Sequence, residues 1–193
     1  MGQILLVVDV QHCFLNAYTN HVPARVRRLI ERGGYDHVWF TRFINIEGGP
    51  YREFLDWHDG SAPPDTDLAP ELAPWATSEY VFDKPGLTGL PATLAERLER
   101  AAPERVLLAG IDTDMCVLKN AMDVFDLGIR PVVLVDCCAS TAGLQAHLAG
   151  LAVLARNIGA NHLQDAGLSE GFLGAPPAEV ARYEAEQDEE AAE

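Results

Sequence analysis

The sequence predicts a doubly wound α/β domain, and three observations carry that prediction. Residues 3–10 (QILLVVDV), 105–110 (RVLLAG) and 131–135 (PVVLV) are near-continuous apolar runs, the pattern of parallel strands covered on both faces. Segments with helical spacing alternate with them, at 22–32, 90–101, 115–127 and 144–158. A length of 193 residues suits one domain with a sizeable core.

Taken in order, residues 3–10 form the first strand, and its run ends beside an aspartate, Asp9. Ligand sites in open parallel sheets lie at the carboxyl ends of strands, so Asp9 stands either where chemistry is expected or as a cap for the following loop. Residues 11–20 read as a loop. Residues 22–32 are amphipathic with several arginines and stop at Gly33-Gly34, which makes a surface helix. Residues 37–43 (HVWFTRF) are the second strand. Residues 44–77 hold five prolines and many acids, a loop long enough to be a lid or binding loop, or else a surface insertion. Residues 79–82 are a short third strand, and the turn Asp83-Lys84-Pro85-Gly86 places Lys84 just beyond its end. The helix at 90–101 carries Glu and Arg on its outer face.

The stretch at 105–140 organises the rest. A strand at 105–110 leads into the polar turn Ile111-Asp112-Thr113-Asp114. A helix follows at 115–127, with Val117, Ala121, Val124 and Leu127 sharing a face, and Gly128 closes it. The strand at 131–135, the alanine- and leucine-rich helix at 144–158 and a short strand at 161–164 complete the chain. The expected architecture is a single doubly wound (Rossmann-like) domain, residues 1–175, with a mainly parallel six-stranded sheet flanked by helices. Residues 176–193 form an acidic tail; from Glu179 on it carries seven acidic residues and one arginine, and reads as a frayed helix or a disordered end.

The formal net charge of −15 argues against nucleic acid and anionic membrane as partners. No segment approaches a membrane span, and the first residues lack the pattern of a signal peptide. The four cysteines, Cys13, Cys116, Cys137 and Cys138, make neither a CxxC pair nor a disulfide framework, which fits reduced thiols in a cytoplasmic setting. Cys137 and Cys138 follow the fifth strand and read as buried small hydrophobes; Cys13 packs, or lines a pocket near Asp9. Cys116 is placed in the first turn of its helix, where unpaired N–H groups and the helix dipole favour a thiolate. That makes it the leading candidate nucleophile. Asp9 supplies a base for its proton and Lys84 a cation beside both anions.

Around these three groups the sequence resembles the isochorismatase-like cysteine hydrolases, the superfamily that includes nicotinamidases and N-carbamoylsarcosine amidases. The resemblance covers about residues 3–161. It rests on Asp9-Val-Gln11-x-x-Phe14, on Lys84, on Gly110-Ile-Asp-Thr-Asp-Met-Cys116-Val, and on Asp126-Leu-Gly128 and Val135-Asp136 downstream. It implies that Asp9, Lys84 and Cys116 form a catalytic triad, that the Ile111–Asp112 peptide is cis, and that the backbone N–H groups of Asp112 and Cys116 make an oxyanion hole. It further implies hydrolysis of an amide or related C–N bond of a small molecule through a thioester. Gln11, Phe14, Phe43 and Trp57 are the candidate pocket walls, and a dimer or tetramer is the implied assembly.

Three departures stand out. Nicotinamidases carry an Asp-x-His after strand two for a metal, whereas here Thr41-Arg42-Phe43 occupies that place. Asp56-Trp57-His58 has the local spacing but lies in the long loop, so no metal and no cofactor are expected. Asp112 stands where relatives often have a small residue, and a carboxylate there opposes a thiolate unless it points away. Asn120 replaces a common threonine. Two alternatives remain at this level: a vinyl ether hydrolase of the isochorismatase type that needs no covalent step, and a catalytically silent binding or regulatory module.

Overall fold

Six strands form one sheet in the computed structural model, which describes residues 2–87, 89–169 and 174–192. They are β1 (Gln3–Val8), β2 (His37–Ile44), β3 (Val81–Pro85), β4 (Arg105–Ile111), β5 (Arg130–Ala139) and β6 (Leu163–Gln164). The spatial order is β3-β2-β1-β4-β5-β6 and every pairing is parallel. The chain runs outward from β1 to β3, then returns to the centre and runs outward the other way from β4 to β6. The switch point therefore lies between β1 and β4, and the crevice at their carboxyl ends is the expected ligand position.

The central strands are apolar throughout because both faces are covered. On one face Leu6 and Val8 of β1 meet α3 (Ala92–Ala101), α4 (Leu118–Asp126) and α5 (Leu144–Leu154), through Leu94, Leu98, Ala121, Val124, Leu151 and Leu154. On the other, Leu5 and Val7 meet α1 (Val22–Arg32) through Val22, Val26 and Leu29, with Leu72 from the long connection beside them. The remaining helices are α2 (Pro50–Leu55) and α6 (Pro177–Ala192).

Several boundaries differ from those expected. Strand β3 starts two residues later than predicted and runs through Lys84 to Pro85, with Phe82 and Lys84 buried and Asp83 and Pro85 exposed. Strand β5 extends to Ala139, so Cys137 and Cys138 lie within it. Between the pairs Leu108–Val133 and Gly110–Cys138 it makes an irregular excursion that contains Asp136. The connection at 44–77 is partly ordered into α2 and a short turn at Pro70–Leu72. The acidic tail is helical over Pro177–Ala192, with Glu179 buried near its start; Glu193 lies outside the described residues.

Two glycines permit the close approaches that shape the switch point. A Cβ on Gly110 (φ 139°) would stand 2.1 Å from the Val8 carbonyl oxygen, so β4 lies against β1 only because that atom is missing. A Cβ on Gly150 of α5 would stand 2.7 Å from both the Cα and the backbone N of Asp114.

Candidate active site

The residues after β1, β3 and β4 converge at the switch point. Asp9 follows β1 in a left-handed conformation (φ 48°), one that aspartate tolerates better than most residues. Its side chain is fully buried. Oδ1 accepts a 2.6 Å hydrogen bond from the Thr41 hydroxyl, and Oδ2 lies 2.8 Å from Lys84 Nζ. Apart from that ion pair, Oδ2 has no hydrogen-bond partner among the described residues. Lys84 is also fully buried, and its Nζ reaches Cys116 Sγ and the Gly86 carbonyl at 3.4 Å each. Burial alone would lower the Lys84 pKa; the negative charges of Asp9 and of an ionised Cys116 outweigh it and hold the ammonium above the usual lysine range.

Cys116 sits in one wide, π-type turn, Thr113–Val117, that leads into α4. Such turns recur at functional sites. The Met115 and Val117 N–H groups both donate to the Asp112 carbonyl, and Asn120 Nδ2 caps the Cys116 carbonyl at 2.7 Å. The Asn120 side chain thus holds the carbonyl of the residue one turn before it. The Ile111–Asp112 peptide is cis. The expected thiolate at a helix start is not what the surroundings favour. Burial, reinforced by Asp9, pushes the Cys116 thiol well above its ordinary range, and Lys84 offsets only part of this. Desolvation here outweighs the dipole of the helix start.

The Asp112 carboxylate is held by Thr141. It accepts from the Thr141 N–H at 2.6 Å and from its hydroxyl at 2.8 Å. Burial still raises its pKa to about 6. Behind the turn, Thr113 Oγ1 lies 2.7 Å from His147 Nδ1 of α5.

A cavity of about 430 Å³ opens over Cys116. Phe14, Phe43, Tyr51 and Trp57 form one wall, with Phe14 and Trp57 stacked at 6.1 Å and Phe43 and Tyr51 edge-on at 5.1 Å. Asn16, Asp112 and Thr141 provide the polar side. Three of the four predicted walls therefore line the cavity. Gln11 does not: it is fully buried, its Nε2 donates to the Phe43 and Thr66 carbonyls, and its Oε1 accepts from the Phe43 N–H. It is a clamp that ties the end of β1 to β2 and to the long connection. Tyr51 and Thr41 were missed. Tyr51 comes from α2, inside a stretch read as loop. Thr41 is a polar residue in an otherwise apolar strand segment, and that was the available signal.

Where an Asp-x-His would hold a metal, Thr41 is bonded to Asp9 and Arg42 pairs with Asp83 at 2.6 Å. Asp56 and His58 pair with each other on the exposed loop. Among the described residues no group of three or more His, Cys, Asp or Glu is placed to hold an ion, so the side chains present do not fit a metal centre of that kind.

Residues 3–163 match the family model described as the isochorismatase domain. The fold aligns with N-carbamoylsarcosine amidase from Thermoplasma acidophilum at a TM-score of 0.71 and 22% identity, covering 89% of this chain and all of that one. It aligns with a nicotinamidase from Bacillus subtilis at 0.68 and 20%, covering 83% and 98%. Among curated proteins, isochorismatase domain-containing protein 2 of Bos taurus is 35% identical over 71 residues, 37% of this chain and 34% of that protein. The Rattus norvegicus protein of the same name is 43% identical over 87 residues, 45% and 39% of the two chains. The matched stretches thus span only about a third to two-fifths of these curated relatives. With the family model covering most of its length, the chain belongs to the isochorismatase domain family. No helix among the described residues is long and apolar enough to cross a membrane.

Proposed function

We propose that this protein is a cysteine hydrolase that cleaves an amide or related C–N bond of a small molecule. The observation that carries the reading is the buried contact chain Asp9–Lys84–Cys116, 2.8 Å and 3.4 Å long, under an open cavity. The structural neighbours that are amidases by name lend it support.

In this mechanism Asp9 takes the Cys116 proton as the substrate carbonyl arrives. Sγ bonds to the carbonyl carbon, and the oxyanion rests on the backbone N–H groups of Asp112 and Cys116. Protonated Asp9 then gives its proton to the leaving nitrogen, the C–N bond breaks, and ammonia or an amine departs from the thioester. Asp9 next takes a proton from water, whose oxygen attacks the thioester. When the C–S bond breaks, the acid leaves and Cys116 recovers its proton. Lys84 holds the Asp9 carboxylate and balances the sulfur whenever it is anionic. A positioned acid–base group supplies about 10²–10⁴-fold, and a donor of an oxyanion hole on the order of 10²-fold or more.

The test is turnover by Cys116→Ala on a carboxamide that the wild-type protein hydrolyses, read as ammonia release, with intact mass after acid quench to detect the acyl adduct. Loss of turnover, with an adduct on wild type at Cys116, supports the reading. Full turnover by the variant would remove the covalent step and leave non-covalent hydrolysis, as of a vinyl ether, in its place.

A further inference from the structure

The charge pattern of the cavity narrows the substrate class. Its walls hold four aromatic rings but, among the described residues, no lysine, arginine or histidine. The nearest ammonium, Lys84, is sealed in the layer below. An ammonium has three N–H donors, and those of Lys84 face Asp9, Cys116 and Gly86. None remains for a substrate carboxylate. Asp9 is neutralised in that same layer by Lys84.

The lining does present one carboxylate, Asp112. Each of its oxygens accepts one hydrogen bond from Thr141, which leaves the carboxylate further acceptor capacity at the cavity wall. Further acids stand nearby, since Asp65 and Asp59 both act on the lining residue Cys13. An anion entering here would lose water and meet no counter-charge. A compact cation would find aromatic faces and a carboxylate together, the usual composition of sites for quaternary ammonium groups.

We infer that the cavity selects small amides carrying a compact cationic group, with Phe14, Tyr51 and Trp57 facing the cation and Asp112 as its counter-charge, and that it rejects amides carrying a carboxylate. The inference rests on the proposed function for the position of the amide. The charge preference itself belongs to the cavity and is readable without catalysis.

Three meta-substituted benzamides test it: 3-trimethylammonio- and 3-tert-butylbenzamide, which share one shape, and the anionic 3-carboxybenzamide. Binding is measured by calorimetry on Cys116→Ala, and hydrolysis by ammonia release on the wild-type protein. The expected result is that the trimethylammonio compound binds about tenfold more tightly than its uncharged tert-butyl isostere, with no measurable binding of the carboxy compound. Adding Asp112→Asn should collapse the difference between the first two, and Trp57→Leu should weaken the cation more than the isostere. Equal or tighter binding of the tert-butyl or carboxy compound, binding of none of the three, or a preference unchanged in both added variants would overturn the inference. A cation preference in the variant with no hydrolysis of the bound compound by wild type would instead count against the proposed reaction and leave the charge selection standing.

Discussion

Asp9, just after β1, and Asp136, within β5, both stand among apolar residues, and both are fully buried. Their surroundings differ in one respect. Asp136, in the irregular part of β5, spends its two oxygens on the backbone N–H groups of Ala166 and Leu168, at 2.7 Å each. Asp9 spends one on the Thr41 hydroxyl and turns the other to a lysine that also touches sulfur. A buried carboxylate held by backbone donors touches no group that gives or takes a proton, and it serves the fold. One that keeps an oxygen for a mobile charge has the equipment of a base. Burial alone does not separate the two cases; the identity of the donors does.

That distinction can be broken or sharpened by five substitutions. Asp9→Asn keeps size and the Thr41 contact but removes the base; turnover should fall by about 10²–10⁴-fold while circular dichroism stays unchanged. Asp136→Ala should do the reverse. It strands two backbone donors, so urea denaturation should show a loss of about 2–4 kcal/mol, with kcat per folded molecule unaltered. If Asp136→Ala lost activity without losing stability, the distinction would fail. Thr41→Val removes one charge-assisted bond from Asp9 and should lower kcat about tenfold with little change in KM, whereas Thr41→Ser, which keeps the hydroxyl, should retain most of it. The smallest effect concerns Asp112. Its pKa is raised from 3.8 to about 6 on folding, chiefly by burial. Between those pH values the unfolded chain has released a proton that the folded one still holds, so stability from this group falls as pH rises and levels off above about 6. The Tm difference between Asp112→Asn and wild type should therefore grow in the variant's favour from pH 4 to 6 and then stay flat.

Much of this architecture was legible because parallel strands covered on both faces leave long apolar runs, and β1, β4 and β5 each leave one. Asp9 and Cys116 were legible for a related reason, since a strand end at a switch point is where topology puts a ligand. Lys84 was located by residue type but misplaced in structure. A fully buried lysine breaks the alternation that marks a strand, and its partner, Asp9, is two strands away across the sheet, so local pattern placed it in a turn. Gln11 was misread for the opposite reason. Proximity to Asp9 in sequence suggested a pocket wall, but its amide is consumed by Phe43 and Thr66, which only the folded long connection brings near. The same holds for Tyr51: α2 is too short for its own periodicity to be read, and its place in the aromatic wall depends on rings from three other segments. The helix start at Cys116 is visible in the sequence, but the depth of burial that opposes its ionisation is not.

Position 150 carries this further. Helix α5 rests directly on the backbone of Asp114, two residues before the sulfur, and a single methyl group there would have to displace one or the other. The location of the nucleophile is thus set in part by a hydrogen atom on a helix that contributes no reacting group. In a mutational tolerance map, adjacent Ala149, which is exposed, should accept most residues, while Gly150 should reject even alanine on activity. Two neighbouring small residues would then differ more in functional sensitivity than many pairs of unlike charge. A survey that ranks positions by the chemistry of their side chains would pass over the one whose contribution is to have none.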